Sequence, residues 1–283
     1  MTSNEACFPS SQSKDLPTPE EVDRSTDVIY DFVPGGRRVV GLDNNIIVKY
    51  GANIDLKEAE SISFVSRNTN IPVPNVLGTY THDSKNYIFM SRVTGIPLSE
   101  CLYSLSSTEY DTIAVDMKGY IDQLRGLRIE EFEESSFIGS VGRGECKDKI
   151  FRAGSDKRGP FSSELEMHLN ICDRWIDLRS WGNQKRDNYI HILRRMYTEN
   201  STHAIRFTHG DLSPCNIMVD KGHVVGILDW QEAGWYPEYW EYVNMMQGCA
   251  GLWDTLWPLK IEEILQPYDY MRLIHQPIRN QLQ

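Results

Sequence analysis

Three oxygen-bearing side chains late in the chain, Asp211, Asn216 and Asp229, have types and spacing suited to chemistry on a phosphate. They stand in His209-Gly210-Asp211-Leu212-Ser213-Pro214-Cys215-Asn216, followed by Ile217-Met218-Val219, a Lys221-Gly222 turn, and Val224 to Asp229. An antiparallel hairpin pivoting on Lys221-Gly222 brings the residue before its first strand and the residue closing its second to the same end, so Asn216 and Asp229 can converge. An amide oxygen beside a carboxylate is a hard-oxygen ligand set suited to Mg²⁺, which keeps several waters and bridges substrate phosphates. Asp211, on the same loop, is the candidate base that meets an acceptor hydroxyl. Phosphoryl transfer asks a protein chiefly to position groups and offset charge, and one such carboxylate is sufficient. Lys49, closing an early strand, can clamp phosphates while Glu60, on the helix that follows, fixes its ammonium group.

The elements that must position these groups are legible as patterns. Val28 to Phe32, Arg38 to Leu42 and Ile46 to Tyr50 alternate with turn signals at Pro34-Gly35-Gly36 and Asp43-Asn44-Asn45, which predicts three short antiparallel strands. Leu56 to Arg67 predicts a helix with Leu56, Glu60 and Phe64 on one face, and a carboxylate there is costly to bury unless a cation meets it. Ile71-Pro72-Val73-Pro74 ends that helix and leads to two further strands, Asn75 to Tyr80 and Asn86 to Ser91. Past Gly95 the pattern turns helical. One helix starts at Ser107/Thr108 with Ile113, Met117, Tyr120, Ile121 and Leu124 as its core face. A second is opened by a Ser163-x-x-Glu166 capping box, with Leu165, Leu169, Cys172, Ile176 and Arg179 inward. Ile138 to Gly159, rich in Gly, Lys and Arg, predicts an exposed loop near the cleft. The aromatic stretch Trp235, Tyr236, Tyr239, Trp240, Trp253 and Trp257 reads as core packing, with an aromatic cage for a quaternary ammonium group as the sharper alternative.

Bulk properties narrow the classes. Among 283 residues, 40 acidic against 29 basic side chains give a net charge of -11, which opposes nucleic-acid binding. The acidity suits a cationic small molecule or simply a solvated surface. Six scattered cysteines without a Cys-x-x-Cys pair or zinc-like spacing fit reduced thiols. No apolar leader segment or run of roughly 18 apolar residues is present, so a cytoplasmic protein with no membrane partner is expected. Residues 1–25, rich in Ser, Thr, Pro and acids, are expected to be disordered, with an N-terminal lobe over 26–91 and a C-terminal lobe over 92–283.

With these residues in view, His209-Gly210-Asp211, Asn216 and Asp229 resemble the His-x-Asp-x-x-x-x-Asn…Asp signature of the aminoglycoside phosphotransferase and choline kinase-like family. Ile71-Pro72-Val73-Pro74 stands at the family's spacing, and Ile227 to Glu241 resembles fungal members. The resemblance covers about Asp27 to Gly248. It implies an α+β, protein-kinase-like bilobal fold, an antiparallel sheet with one helix followed by a larger, mainly helical lobe. It also implies an ATP- and Mg²⁺-dependent kinase acting on a hydroxyl of a small polar or cationic metabolite. In that reading Lys49 holds the α- and β-phosphates with Glu60 as partner, Asp211 is catalytic, and Asn216 and Asp229 are metal ligands. Backbone groups of Ser91 and Val93 would bond adenine, and the loop Pro34-Gly35-Gly36-Arg37 would lie over the phosphates. Gly210 and Asp229-Trp230-Gln231 depart from eukaryotic protein kinases, which favours a small acceptor. A catalytically inactive kinase-like binding module and a protein kinase are the alternatives. The acceptor's identity and the oligomeric state are not written in the residues.

Overall fold

The structure, a computed structural model, describes residues 16–32, 36–42, 45–128, 137–152, 157–177, 183–249, 251–252 and 255–280. Its first element, α1 (Pro19–Asp23), lies inside the stretch expected to be disordered; residues 1–15 lie outside the described residues. Five residues are too few to hold a helix alone, and tertiary contacts explain why this one stands. Thr18 and Glu21 form a reciprocal capping box, Val22 is fully buried, and the hydroxyls of Tyr50 and Tyr80 bond Asp23 and the Pro17 carbonyl at 2.9 and 2.8 Å. Gly78 lets Leu16 close onto the sheet, because a Cβ there would lie 2.7 Å from a Leu16 methyl carbon.

That sheet contains β1 (Asp27–Phe32), β2 (Arg37–Leu42), β3 (Ile46–Gly51), β4 (Val76–His82) and β5 (Lys85–Ser91), in the order β1-β2-β3-β5-β4 and antiparallel throughout. Between β3 and β4 runs α2 (Lys57–Asn68). The two-residue strand period sorts the central strand's side chains. Val48 and Tyr50 join Val22, Val40, Tyr87 and Phe89 on the outer face. On the inner face Ile47 packs with Ile54, Ala59, Ile88 and Met90 under the helix. Lys49 alternates onto that inner face, opposite Val39 on one side and Ile88 on the other.

The remainder begins with β6 (Ile96–Pro97), α3 (Leu98–Cys101) and α4 (Ser107–Gly126), the last capped by Ser106 and Glu109. It continues through β7 (Gly139–Ser140), α5 (Glu164–Asp177), α6 (Asn183–Glu199), β8 (Ile205–Thr208), β9 (Ile217–Asp220), β10 (His223–Ile227) and β11 (Gly234–Pro237). It ends with α7 (Trp240–Gln247), α8 (Trp257–Ile264) and α9 (Asp269–Arg279). Two small sheets, β10-β9-β6 and β7-β11-β8, carry the loops of interest against one large apolar core. The result is a bilobal α+β fold. Among the described residues no helix is long and apolar enough to cross a membrane.

Two expectations need correction. The segment from Ile138 to Gly159 is exposed only in part: Ile138, Ser140, Cys146, Asp148, Ile150 and Phe151 are buried, and Ser140 pairs with Gly234, whereas Gly142, Arg143, Glu145, Arg152, Lys157 and Arg158 are exposed. Its Gly and Lys content resembles a solvated loop, but apolar residues between the charged ones anchor it to the core. The buried face of α5 is also rotated from that expected, since Glu164, Met167, His168, Ile171, Cys172 and Arg174 are buried while Leu165 and Leu169 are only partly so. The aromatic stretch is core: Trp235, Tyr236, Tyr239, Trp240 and Trp257 are all buried, and Trp253 lies outside the described residues.

At the centre of that core sits a charge. Asp148, fully buried, accepts from Trp240 Nε1 at 2.8 Å, Asn244 Nδ2 at 3.1 Å and Arg279 Nη2 at 3.0 Å. Arg279 is itself fully buried and lies 4.9 Å above the Trp240 ring. Burial opposes ionisation of Asp148, but Arg279 foremost outweighs it and holds the carboxyl below its usual range. Removing one partner of a buried pair strands the other. Asp148→Ala is therefore expected to cost about 3–5 kcal/mol in a urea melt, against about 1 kcal/mol or less for Asp173→Ala in the exposed Arg194 pair.

Candidate active site

The loop after β8 is held from beneath before it presents anything to a ligand. The Glu241 carboxylate, buried on α7, accepts the His209 N–H at 2.6 Å and the Gly210 N–H at 3.3 Å, and Asn244 Nδ2 donates to the Gly210 carbonyl at 2.7 Å. Gly210 has φ +86°, and a Cβ there would stand 2.8 Å from the Glu232 carbonyl oxygen, so only glycine fits. His209 Nε2 donates to the Leu228 carbonyl at 2.9 Å while Nδ1 accepts the Asp211 N–H at 3.2 Å. Burial depresses its pKa, with the Asp211 charge opposing. A neutral imidazole with both nitrogens engaged ties the loop to the hairpin and has no role as a proton carrier.

Beyond Asp211 the chain makes a 3₁₀ turn over Pro214–Asn216, closed by Asn216 N–H to Ser213 O at 2.9 Å. Asn216 Nδ2 donates to the Asp211 carbonyl at 2.7 Å and to Asp211 Oδ2 at 3.3 Å, which leaves the amide oxygen as the atom for a metal. Lys221 and Gly222, with φ +51° and +76°, form the tight turn between β9 and β10. Ile217 then faces Ile227, and the Leu228 N–H bonds the Asn216 carbonyl at 2.8 Å, so Asp229 emerges beside Asn216. Asp229 itself is left-handed, φ 60° and ψ 66°, a strained conformation for a residue with a Cβ and one that surrounding structure must impose. Trp230 imposes it from the next position, fully buried against His209 with its indole N–H on the Ile227 carbonyl at 2.9 Å.

Lys49 reaches this hairpin from the other lobe. Its ammonium group lies 2.8 Å from Asp229 Oδ1 and 2.7 Å from Glu58 Oε2. Glu60 is not the partner. Two residues along a helix is about 200° of rotation, and the buried stripe of α2 is Glu58, Ser61, Ile62 and Val65, with Ala59 beside it. Glu60 faces instead the Gly142 turn, where a Cβ would lie 3.1 Å from Glu60 Oε2. The stripe at 58, 61, 62 and 65 was readable from spacing, but the competing run through Leu56, Glu60 and Phe64 is equally periodic. Sequence reading also missed Glu241, Asn244 and Asp148; the first two are isolated polar residues in an apolar segment, an unspecific signal, while Asp148 stands between Lys147 and Lys149 and looks like part of a solvated charged run.

The electrostatics are those of a lysine caught between two acids. Burial opposes its charge, but Glu58 and then Asp229 outweigh it and raise the Lys49 pKa. Burial raises Glu58 despite Lys49. For Asp229 burial is overcome by Lys49, His209 and Arg37, and its carboxyl stays below the usual range. One cation against two carboxylates, with Asp211 nearby, favours a further positive charge. Among the described residues no cluster of three His, Cys, Asp or Glu side chains could hold a metal; the Asn216 amide and Asp229 carboxylate are a two-ligand set, which fits magnesium completing its shell with phosphates and water.

The remaining expected residues divide. Ser91 spends its N–H on the Asn75 carbonyl at 2.9 Å, so that amide cannot meet adenine, whereas Val93 lies past the end of β5, against Gly226. Gly36, with φ +58°, forms the turn into β2 beside Ala52 and Asn53; Gly35 lies outside the described residues. Cys215 is exposed.

Glu232, buried behind Asp229, is pushed up to about 8 by burial and by Asp148, against the opposing charge of Arg152. Its ordinary value is 4.5. Between those values the unfolded chain ionises first, so the protein loses stability as pH rises through the window. Urea melts at pH 5 and pH 8 are expected to show wild type losing at least about 1.4 kcal/mol relative to Glu232→Gln, the equivalent of one pKa unit.

Comparison with known proteins places the chain in a family. The curated relatives include an aminoglycoside 3'-phosphotransferase of Acinetobacter baumannii, 21% identical over 68% of this chain and 65% of its own length. Another is an aminoglycoside 3'-phosphotransferase of Enterococcus faecalis, 26% identical over 70% and 71%. The chain thus spans about two thirds of the length of these relatives. Among solved structures, ADP-bound aminoglycoside phosphotransferase APH(2'')-Ib superposes with a TM-score of 0.60 at 13% identity, over 93% of this chain and 88% of its own. The ternary complex of streptomycin, ATP and APH(2")-IIa gives 0.56 at 13%, over 89% and 80%. Residues 56–269 match the family described as "Phosphotransferase enzyme family", and the chain belongs to it.

Proposed function

We propose that this protein transfers the γ-phosphoryl group of ATP, taken up with Mg²⁺, to a hydroxyl group of a small polar metabolite. The observation that carries the reading is the convergence of Lys49, Glu58 and Asp229 across 180 residues of chain, with Asn216 hydrogen-bonded next to Asp229. The relatives' names and the ATP complex of a structural neighbour support the same donor and reaction class.

Each side chain has a defined task. Lys49, steered by Glu58, binds the non-transferred phosphates. Asn216 and Asp229 would hold magnesium, which when bound neutralises charge on the phosphates. Asp211 accepts a hydrogen bond from the acceptor hydroxyl and aims its lone pair at phosphorus, and Asn216 keeps Asp211 in that position. Val93 offers backbone groups to the base.

Purified protein with Mg²⁺-ATP and a panel of hydroxylated metabolites is expected to release ADP, and Asp211→Ala to lower kcat by about a hundredfold or more. Equal turnover by both proteins overturns the assignment. Glu58→Gln removes a charge-assisted bond worth about 1.5–3 kcal/mol, or roughly a ten- to hundredfold loss in kcat/KM for ATP. Glu60→Gln is expected to stay within about twofold in the same assay.

A further inference from the structure

Beside the Lys49 cluster lies a cavity of about 590 Å³. Its walls come from β1 and β2 on one side and from the 145–158 segment and Gln231 on the other. None of Lys49, Ser91, Val93, Asp211, Asn216 or Asp229 lines it, so it adjoins the nucleotide site without being that site. Gln231 lies two residues past Asp229, and Arg152 bonds Glu232 at 2.8 Å, which places the cavity against the chain that carries the metal-binding carboxylate.

Its charge runs against that of the whole protein. In a chain of net charge -11, the cavity is lined by Arg37, Lys147, Arg152 and Arg158, with only Asp55 and Glu145 in opposition. Lys147 is paired with Asp55 at 2.7 Å. Arg152 is paired with a Glu232 whose pKa is pushed up to about 8 by burial, so at neutral pH its charge is incompletely cancelled. Arg37 and Arg158 form no ion pair among the described residues. Tyr30 and Phe32, 52% and 48% exposed on the same face of β1, add an apolar wall. Arg37 acts on Glu58 and Asp229, which leaves Arg158 as the guanidinium group open to a ligand; exposed aromatics beside such a group are a binding surface, since the planar fork of arginine matches carboxylate and phosphate oxygens.

We infer that this cavity receives one end of the acceptor, whose hydroxyl reaches Asp211 outside it, and that this end is an anion: a carboxylate or a phosphate group on a hydroxylated small molecule, held by Arg158 beside Tyr30 and Phe32. The inference rests on the phosphotransfer reading and departs from the cationic acceptor that overall acidity suggested, because the local field rather than the net charge meets the ligand. A polycationic acceptor would face four basic side chains against two acidic ones in the lining.

The test uses the full chain saturated with Mg²⁺ and the non-hydrolysable nucleotide AMP-PNP, so that anions cannot enter the triphosphate site. Failure of AMP-PNP to bind in calorimetry would sink the phosphotransfer reading on its own. With nucleotide in place, inorganic phosphate, glucose 6-phosphate and gluconate are titrated against uncharged glucose and polycationic kanamycin. At least one anion is expected to bind tenfold or more tightly than glucose, the phosphate and carboxylate arms showing which group the site prefers. Arg158→Glu is expected to weaken that anion at least tenfold while AMP-PNP affinity stays within twofold. Anions no tighter than glucose, tighter binding of kanamycin, an unchanged anion affinity in Arg158→Glu, or a loss confined to AMP-PNP would each overturn the proposal.

Discussion

The arrangement turns on one buried ammonium group shared by two carboxylates that belong to different lobes. Glu58 belongs to the helix that packs on the early sheet, and Asp229 to the late hairpin; Lys49 bonds both. With its side chain only 11% exposed, each bond is worth more than it would be in water, and loss of Lys49 leaves two carboxyl groups without their cation in a poorly solvated place. The sheet's alternation, the rotation of α2 and the left-handed bend at Asp229 all follow from the need to bring these three groups together.

Behind that triad lies a second layer whose work is mechanical. Glu241 and Asn244, one helical turn apart on α7, grip the backbone of His209 and Gly210 rather than any side chain. Asn244 also bonds Asp148, and Asp148 is bound to Arg279, so the catalytic loop is continuous through hydrogen bonds with the last helix. Such a network orients Asp211 without touching a ligand. A helix buried on nearly every side would be expected to be apolar throughout; Glu241 is retained with both carboxyl oxygens bonded to the loop, and Asn244 with its Nδ2 bonded to Gly210 and Asp148 while its Oδ1 has no partner among the described residues.

Much of this was legible before any coordinates. The five strands of the N-terminal sheet, the hairpin on Lys221-Gly222 and the meeting of Asn216 with Asp229 follow from alternation and turn chemistry, which act over a few residues. Glu60 lies on a helical stripe as periodic as the one that carries Glu58, and only the packed sheet decides which one turns inward. The 138–159 segment was misread for a related reason. Its burial depends on Tyr236, Trp240 and Arg279, all far away in sequence, and no local pattern announces a partner that distant. The α1 helix depends in the same way on two tyrosine hydroxyls from the sheet.

The place of Arg279 in the chain sets an order of events during synthesis. Asp148 emerges 131 residues before the guanidinium that neutralises it, and translation at about 5–20 residues per second makes that interval on the order of ten seconds. Through it the carboxylate must stay hydrated, holding Trp240 and the loop it supports away from their final packing. The buried pair therefore cannot form before α9 has been added, and closure of the core around Asp148 waits for that helix.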